Sequence, residues 1–373
     1  MTTARTALAH AADIGSHPLL EARGLTKHFK VGGALSRKTL HAVDEADFVI
    51  RSREIVALVG ESGSGKSTVA RLLARVYKPT AGEITYQGRS LARLRTRAQS
   101  LRYHGDVPMV FQDPFSSLNP AYRVSHGIMR GLKLHRPELD AVARRAEAER
   151  VVAAVGLTPP DEVLGRYPHE LSGGQRQRIG FAQALAYRPK LILADEPVSM
   201  LDVSIRIGLL NVMAKLRADE GVSFLYITHD IASARYVSDR VIVMYAGHIV
   251  ETGQTEDVLA NPKHPYTQLL LSAVPDPRAP LMVDAGTDKG EPPRVINPTE
   301  GCRFRWRCPL AIETCTTVTP RLRTLGERHT AACHVAVPDD GFDASPDLAA
   351  VASDRPAVPE PSENGSRAKT GNQ

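Results

Sequence analysis

What the 373 residues lack narrows the field first. No apolar run approaches the roughly 20 residues that a membrane-spanning helix needs. The longest, such as DRVIVMYAG, fit single buried strands. The N-terminal stretch MTTARTALAHAADIGSHPLL lacks the apolar core and ordering of a secretory signal. These absences predict a protein that stays in the cytosol and meets a membrane only through a partner. There is no internal repeat and one copy of each motif described below. Cysteine is scarce, with four residues, all between 302 and 333. In a reducing compartment such a group suggests a metal site or reactive thiols before it suggests disulfides.

What is present is ordinary for a globular chain. The excess of 47 basic over 41 acidic residues, a net charge of +6, mildly favours an anionic partner. It does not discriminate among nucleotide, membrane surface and nucleic acid. The length allows one large α/β domain and something smaller. Residues 19–58 alternate short β-type runs with turns, 66–76 and 120–157 carry helical spacing, and LILAD, FLYITHD and VIVMYAG read as strands between helices. That alternation predicts a mostly parallel sheet. GRSLARLRTRAQSLRYH carries five arginines at helical spacings, which reads as a solvated helix face. Composition shifts divide the chain into a disordered lead (1–17), a main domain (18–275), a cysteine module (276–337) and a disordered tail (338–373).

GESGSGKST follows an apolar strand and precedes a helix, the setting of a phosphate-binding loop. Gly60, Glu61, Ser62, Gly63, Ser64, Gly65, Lys66, Ser67 and Thr68 make up this loop. Its glycines let backbone N–H groups close around a β-phosphate. Lys66 can neutralise β- and γ-phosphate charge, and the Ser67 hydroxyl can reach Mg²⁺. KLILADEP ends an apolar strand in two carboxylates. Asp195 can hold Mg²⁺ through water, and Glu196 can polarise an attacking water. A second phosphate-binding device, YPHELSGGQRQRI, runs a serine and two glycines into a predicted helix whose positive end would face an anion. One nucleotide does not need both.

With LSGGQ set between the loop and the Asp-Glu strand, residues 19–275 resemble an ATP-binding cassette (ABC) ATPase. The resemblance implies a P-loop NTPase fold of class α/β: a RecA-like core with antiparallel β and helical subdomains, here followed by a small cysteine-containing module. It also implies two cassettes facing head to tail around two ATP molecules, each loop covered by its partner's LSGGQ. On matching residues, Phe29 in LTKHFK would stack on adenine, and Gln112 in VFQDPFSSLNP would reach Mg²⁺ and couple to the membrane partner. Ser172, Gly173, Gly174 and Gln175 would form the signature, Asp202 in SMLDVS the D-loop aspartate, and His229 in YITHD the switch histidine at the γ-phosphate. Met200, Arg53 and Gln183 depart from the family pattern, where alanine, glycine and arginine are usual; none removes a catalytic group.

Longer stretches, among them RYPHELSGGQRQRIGFAQAL, ADEPVSMLDVSI and NPKHPYTQLLLSAVP, are similar to ATP-binding subunits of bacterial dipeptide, oligopeptide and nickel importers. That resemblance implies a second ATP-binding subunit, hetero- or homodimeric, with this chain of the second-subunit type. It further implies two integral membrane permease subunits, an extracytoplasmic solute-binding protein and a place at the cytoplasmic face of the membrane, with no nucleic acid. A soluble ABC ATPase acting on DNA or the ribosome is the alternative; a single cassette without a coiled-coil insertion speaks against it. A generic P-loop kinase or GTPase leaves LSGGQ unexplained.

Cys302, Cys308, Cys315 and Cys333 have five, six and seventeen residues between them, which suits none of the usual zinc patterns. Four thiolates can hold zinc or an iron–sulfur cluster, and four reduced, buried cysteines are the plain alternative. The importer resemblance implies a [4Fe–4S] cluster. Arg303, Arg305, Arg307, Arg321 and Arg323 could offset its charge or simply line a solvated loop.

Overall fold

The computed structural model describes residues 18–32, 37–113, 118–273, 295–326 and 328–336. The lead, the tail and residues 276–294 of the cysteine module lie outside the described residues. In chain order the elements are β1 (Pro18–Val31), β2 (Lys38–Arg51), β3 (Ile55–Val59), α1 (Lys66–Leu73), β4 (Ala81–Tyr86) and β5 (Arg89–Ser90). Then follow α2 (Arg97–Asp106), β6 (Met109–Val110), α3 (Val124–His135), α4 (Ala141–Ala154), α5 (Pro160–Gly165) and α6 (Gly173–Leu185). The second half runs β7 (Leu191–Asp195), α7 (Val203–Glu220), β8 (Ser223–Thr228), α8 (Ile231–Val237), β9 (Arg240–Tyr245), β10 (His248–Gln254), α9 (Thr255–Ala260) and α10 (Pro265–Ser272). The cysteine module adds α11 (Thr314–Thr317), β11 (Arg323–Gly326) and β12 (His329–Ala331).

Strands β3, β7, β8 and β9 are the apolar runs, and every residue of each is buried. Strands covered on both faces belong in a parallel sheet. Here β9, β3, β8, β7 and β6 form five parallel neighbours within an eight-stranded sheet. Alternate residues of β3 serve two cores. Ile55, Ala57 and Val59 pack towards α3, α4 and α6, whereas Val56 and Leu58 pack towards β1, β2 and α1. A separate four-stranded antiparallel sheet, ordered β2-β1-β4-β5, carries Phe29. No helix of the described residues is long and apolar enough to cross a membrane.

Three local expectations change. The region predicted as short β-type runs folds as two 14-residue strands, whose register shifts at Ala22/Leu25, Leu25/Lys27 and Lys27/His28 bend the pair without ending it. The arginine-rich helix begins only at Arg97, because Thr96 and Gln99 form a reciprocal cap there. The predicted helix over 120–157 is three pieces: Pro120 to Arg123 are turn and coil, α3 stops before Arg136, and Asp140 caps α4 by accepting from the Ala143 N–H.

The cysteine module extends the main sheet instead of hanging from it. β12 pairs antiparallel with β10, and β11 pairs with β12, which makes them the sheet's edge. Under this seam, fully buried Glu251 accepts from the Lys263 and His264 N–H groups and contacts His329 Nε2 at 2.7 Å. A buried carboxylate with three partners ties β10, the start of α10 and β12 together.

Candidate nucleotide site

The register of the parallel strands gathers the site. Val59 pairs with Thr228 and Asp195 with Ile227, so the loops leaving β3, β8 and β7 emerge at one level. Ligands of open α/β sheets bind at such carboxyl ends. The 60–68 loop turns from β3 into α1 through Gly60, Gly63 and Gly65, at φ 155°, 78° and 107°. A Cβ on Gly60 would lie 2.1 Å from the Met244 carbonyl oxygen, and one on Gly65 would lie 2.2 Å from that of Ala42. Only glycine fits either place.

Lys66 is buried and donates to the Gly60 carbonyl at 2.6 Å and the Glu61 carbonyl at 2.8 Å, curling over the loop. Burial lowers its pKa, against the pull of Glu196, Asp195 and Glu61. Ser67 Oγ donates to Asp195 Oδ1 at 2.9 Å, so the hydroxyl and carboxylate with Mg²⁺ chemistry already touch. Burial raises the Asp195 pKa despite Ser67, Arg71 and Lys66, and a divalent cation there would hold it ionised. Glu196 turns away at φ 47°, a strained position for a side-chain-bearing residue. Its Oε2 lies 3.3 Å from His229 Nδ1 and accepts from Gln112 Nε2 at 3.1 Å. Gln112 therefore stands with Glu196 and His229 and makes no hydrogen bond to the Ser67–Asp195 pair. Phe29 is half-buried, edge-on to Tyr77 with centroids 5.3 Å apart, and Lys27 Nζ lies over its ring at 5.0 Å from the centroid.

The signature is built differently. Ser172 caps α6 by accepting from the Gln175 N–H, and Gln175 Oε1 accepts from the Ser172 N–H. Among the described residues no hydrogen bond joins 172–175 to the 60–68 loop. Gly174 lets α6 approach α7, since a Cβ there would lie 2.4 Å from Ile205 Cγ2. Asp202 starts α7 with an exposed side chain, and Met200 (64% exposed), Val203 (69%) and Ile207 (43%) leave apolar surface beside it. Of the other departures, Gln183 packs against Gly127 of α3, and Arg53 keeps a φ of 61° where glycine would be unstrained.

Sequence reasoning missed the links between these parts. Gln177 Nε2 donates to the Phe111 carbonyl, joining the signature helix to the residue before Gln112. Arg206 of α7 pairs with Asp230, next to His229, at 3.0 Å. No local signal marks either residue, because each partner comes from another part of the chain. Two of the module's five arginines neither face the thiols alone nor lie on a solvated loop. Arg303 bonds Asp44 and the Ala246 carbonyl, and Arg307 bonds Glu61. Burial, and then the neighbouring Cys315, Cys308 and Cys333, pushes the Cys302 thiol up to about 11. No three of the four thiols lie within 4.8 Å of one another. A tetrahedral zinc would draw them to roughly 3.8 Å, given Zn–S bonds of about 2.3 Å.

A phosphate loop, a metal-ready Ser–Asp pair, a carboxylate beside a histidine and a detached LSGGQ helix together define an ABC transporter ATPase. Residues 43–199 match the ABC transporter family, and residues 250–315 match the oligopeptide/dipeptide transporter C-terminal region. A Brucella ovis protein described as a peptide import ATP-binding protein is 44% identical over 316 residues, 85% of this chain and 97% of that one. The oligopeptide transport ATP-binding protein AppF of Bacillus subtilis is 41% identical over 322 residues, covering 85% and 97%. The dimeric structure of MJ0796, a bacterial ABC transporter cassette, aligns at a TM-score of 0.57 and 27% identity, covering 63% of this chain and 98% of that one. The chain belongs to the ATP-binding proteins of oligopeptide-type ABC importers. It is an ATP-binding, ATP-hydrolysing subunit, and membership implies dimerisation and membrane permease partners.

Proposed function

We propose that this subunit binds MgATP in the 60–68 loop, closes against a second ATP-binding subunit, and hydrolyses ATP to reset imported-peptide gating in its permeases. One observation carries the reading: the loop, Asp195, Glu196, His229 and Gln112 converge, while among the described residues no hydrogen bond joins Ser172–Gln175 to that loop. Lys66 holds phosphate charge, Ser67 and Asp195 hold Mg²⁺, and Glu196 orients the attacking water with His229 at the γ-phosphate. A Mg²⁺ held by Ser67 and Asp195 would supply neutralisation of phosphate charge. Gln112 couples this centre to the permease side, and Phe29 stacks on adenine. Ser172, Gly173, Gly174 and Gln175 serve the partner's ATP, with Asp202 at the dimer seam. Closure follows because ATP adds contacts available only in the closed state. The permeases hold the subunit at the cytoplasmic face, and an extracytoplasmic solute-binding protein delivers peptide.

Mixing two inactive variants tests the arrangement. A Ser172→Arg chain keeps its own loop, and a Lys66→Ala chain keeps its own signature. Together they rebuild one sound site, so the mixture dimerises on ATP where neither variant does alone. A mixture as inert as its components would sink the reading in trans.

For the cysteine module, the four-thiol donor set and the importer family resemblance are what support a [4Fe–4S] cluster; the thiols are not drawn together in this structure. The cluster would draw Cys302, Cys308, Cys315 and Cys333 into the thiolate form. Anaerobic purification should yield a brown protein with roughly four irons per chain. A colourless protein with one zinc per chain, or with no metal, contradicts it.

A further inference from the structure

The cysteine module reaches the phosphate loop through one side chain. Arg307, immediately before Cys308, donates from Nη1 to Glu61 Oε2 at 2.6 Å and from Nη2 to Glu61 Oε1 at 2.9 Å. This two-pronged pair spans 246 residues of sequence, and its partners are 11% and 28% exposed. Bidentate guanidinium–carboxylate pairs of this kind fix orientation as well as charge. The support behind the arginine is firm. Phe304, fully buried, packs edge-on against Tyr245 at 5.2 Å and against Tyr266 at 5.6 Å. Tyr266 Oη in turn accepts from the Glu61 N–H at 2.8 Å. Both the backbone and the carboxylate of Glu61 are therefore held by the same small assembly.

Glu61 is the second residue of GESGSGKST, and its carbonyl holds Lys66 at 2.8 Å. A carboxylate on this loop carries the same sign as the triphosphate that the loop must receive. Uncompensated, it repels the ligand and competes for the lysine. Arg307 removes that charge without presenting a free cation of its own. We propose that Arg307 is a positioning residue of the phosphate loop, neutralising and orienting Glu61, so that the cysteine module sets ATP affinity from outside the nucleotide motifs. The proposal rests on the 60–68 loop being the ATP site.

MgATP titration of the full-length chain tests it, with Arg307→Ala, Glu61→Gln, the double variant, Arg307→Lys and Lys66→Ala. Arg307→Ala should weaken ATP binding roughly tenfold, the scale of one uncompensated charge near the phosphates. Arg307→Lys keeps the charge but loses the fork, and should fall between wild type and Arg307→Ala. On the Glu61→Gln background, Arg307→Ala should cost nothing further, because no carboxylate remains to neutralise. Amide exchange across β12 reports whether the module stays paired in each variant. Wild-type affinity in Arg307→Ala would overturn the proposal. An equal loss on both backgrounds, with β12 unprotected, would do so too, by making Arg307 a docking residue. If Lys66→Ala binds ATP normally, the reading of the loop as the ATP site fails instead.

Discussion

The phosphate loop and the signature look alike as strings, each a serine with glycines running into a helix, yet they are built on different principles. In the loop, Gly60 and Gly65 adopt conformations and approach neighbouring carbonyls in ways no other residue can, and the lysine is folded over them. The device is shaped from within its own chain. In the signature, neither Gly173 nor Gly174 has a positive φ; Ser172 and Gln175 complete an ordinary helix cap, and a Cβ on Gly173 would meet only Leu201 at 3.7 Å. One region is a finished cradle; in the other, Gly174 packs against Ile205 of α7 while Ser172 stays exposed. The same composition serves backbone geometry in the first and access in the second.

The sharpest way to break this comparison is to silence the chemistry and leave the geometry. Glu196→Gln keeps the hydrogen bond from Gln112 but not the charge, and should cut ATP turnover by about 10²–10⁴-fold, the range for loss of a general base. ATP binding should persist and the closed dimer accumulate, measured by steady-state hydrolysis and by sizing in ATP. Turnover near wild type would remove Glu196 from the mechanism.

Alanine in place of each glycine separates the two designs next. Gly65→Ala puts a methyl group against the Ala42 carbonyl at a φ of 107° and should cost about 3–4 kcal/mol of stability. Gly173→Ala should leave stability within about 0.5 kcal/mol and act on dimerisation alone. Denaturant midpoints of the two variants check the contrast. Equal losses would mean that the signature glycine is also a backbone requirement.

Acid should loosen the cradle's support. His264 is buried, its Nδ1 accepts from the Tyr266 N–H at the start of α10, and burial lowers its pKa to about 4. Its folded value lies below the unfolded one near 6.5, so the unfolded chain binds the extra proton between those limits. The contribution is complete above about pH 6.5 and lost as pH falls towards 4, amounting to roughly 3 kcal/mol. His264→Asn still accepts from the Tyr266 N–H and does not titrate, so its melting temperature should lose pH dependence in that window. An unchanged slope would remove His264 as the source.

The smallest effect lies at the turn before β3. Arg53→Gly should relieve a φ of 61° and raise stability by about 0.5–1 kcal/mol, read as a modest increase in melting temperature. A decrease would show that contacts of the arginine outweigh its backbone strain.

Much of the fold was legible in the residues. The buried strands announce themselves because a strand covered on both faces is mostly apolar, as the runs LILA and FLYI are within β7 and β8. Helix boundaries were less legible. Thr96 and Asp140 decide where α2 and α4 begin by capping chemistry that a hydrophobic period does not contain. At the site, the motifs name the residue types, but the strain at Glu196 and the company Gln112 keeps come from strands meeting across the sheet.

By itself the sequence determined what depends on near neighbours: a glycine loop between strand and helix, two carboxylates closing a strand, an LSGGQ run leading into a helix, and hence an ABC ATPase of importer type. Only the tertiary structure decided which of these stand together. It placed Glu196 beside His229, kept the signature away from its own loop, and carried the cysteine module onto the edge of the nucleotide sheet. Arg307 and Glu61 show the reason most plainly. Each is one charged residue in a polar segment, and no spacing rule can pair positions 246 residues apart. Their meeting depends on β12 joining β10 and on Phe304 filling the space beside Tyr245 and Tyr266, a consequence of packing the whole domain.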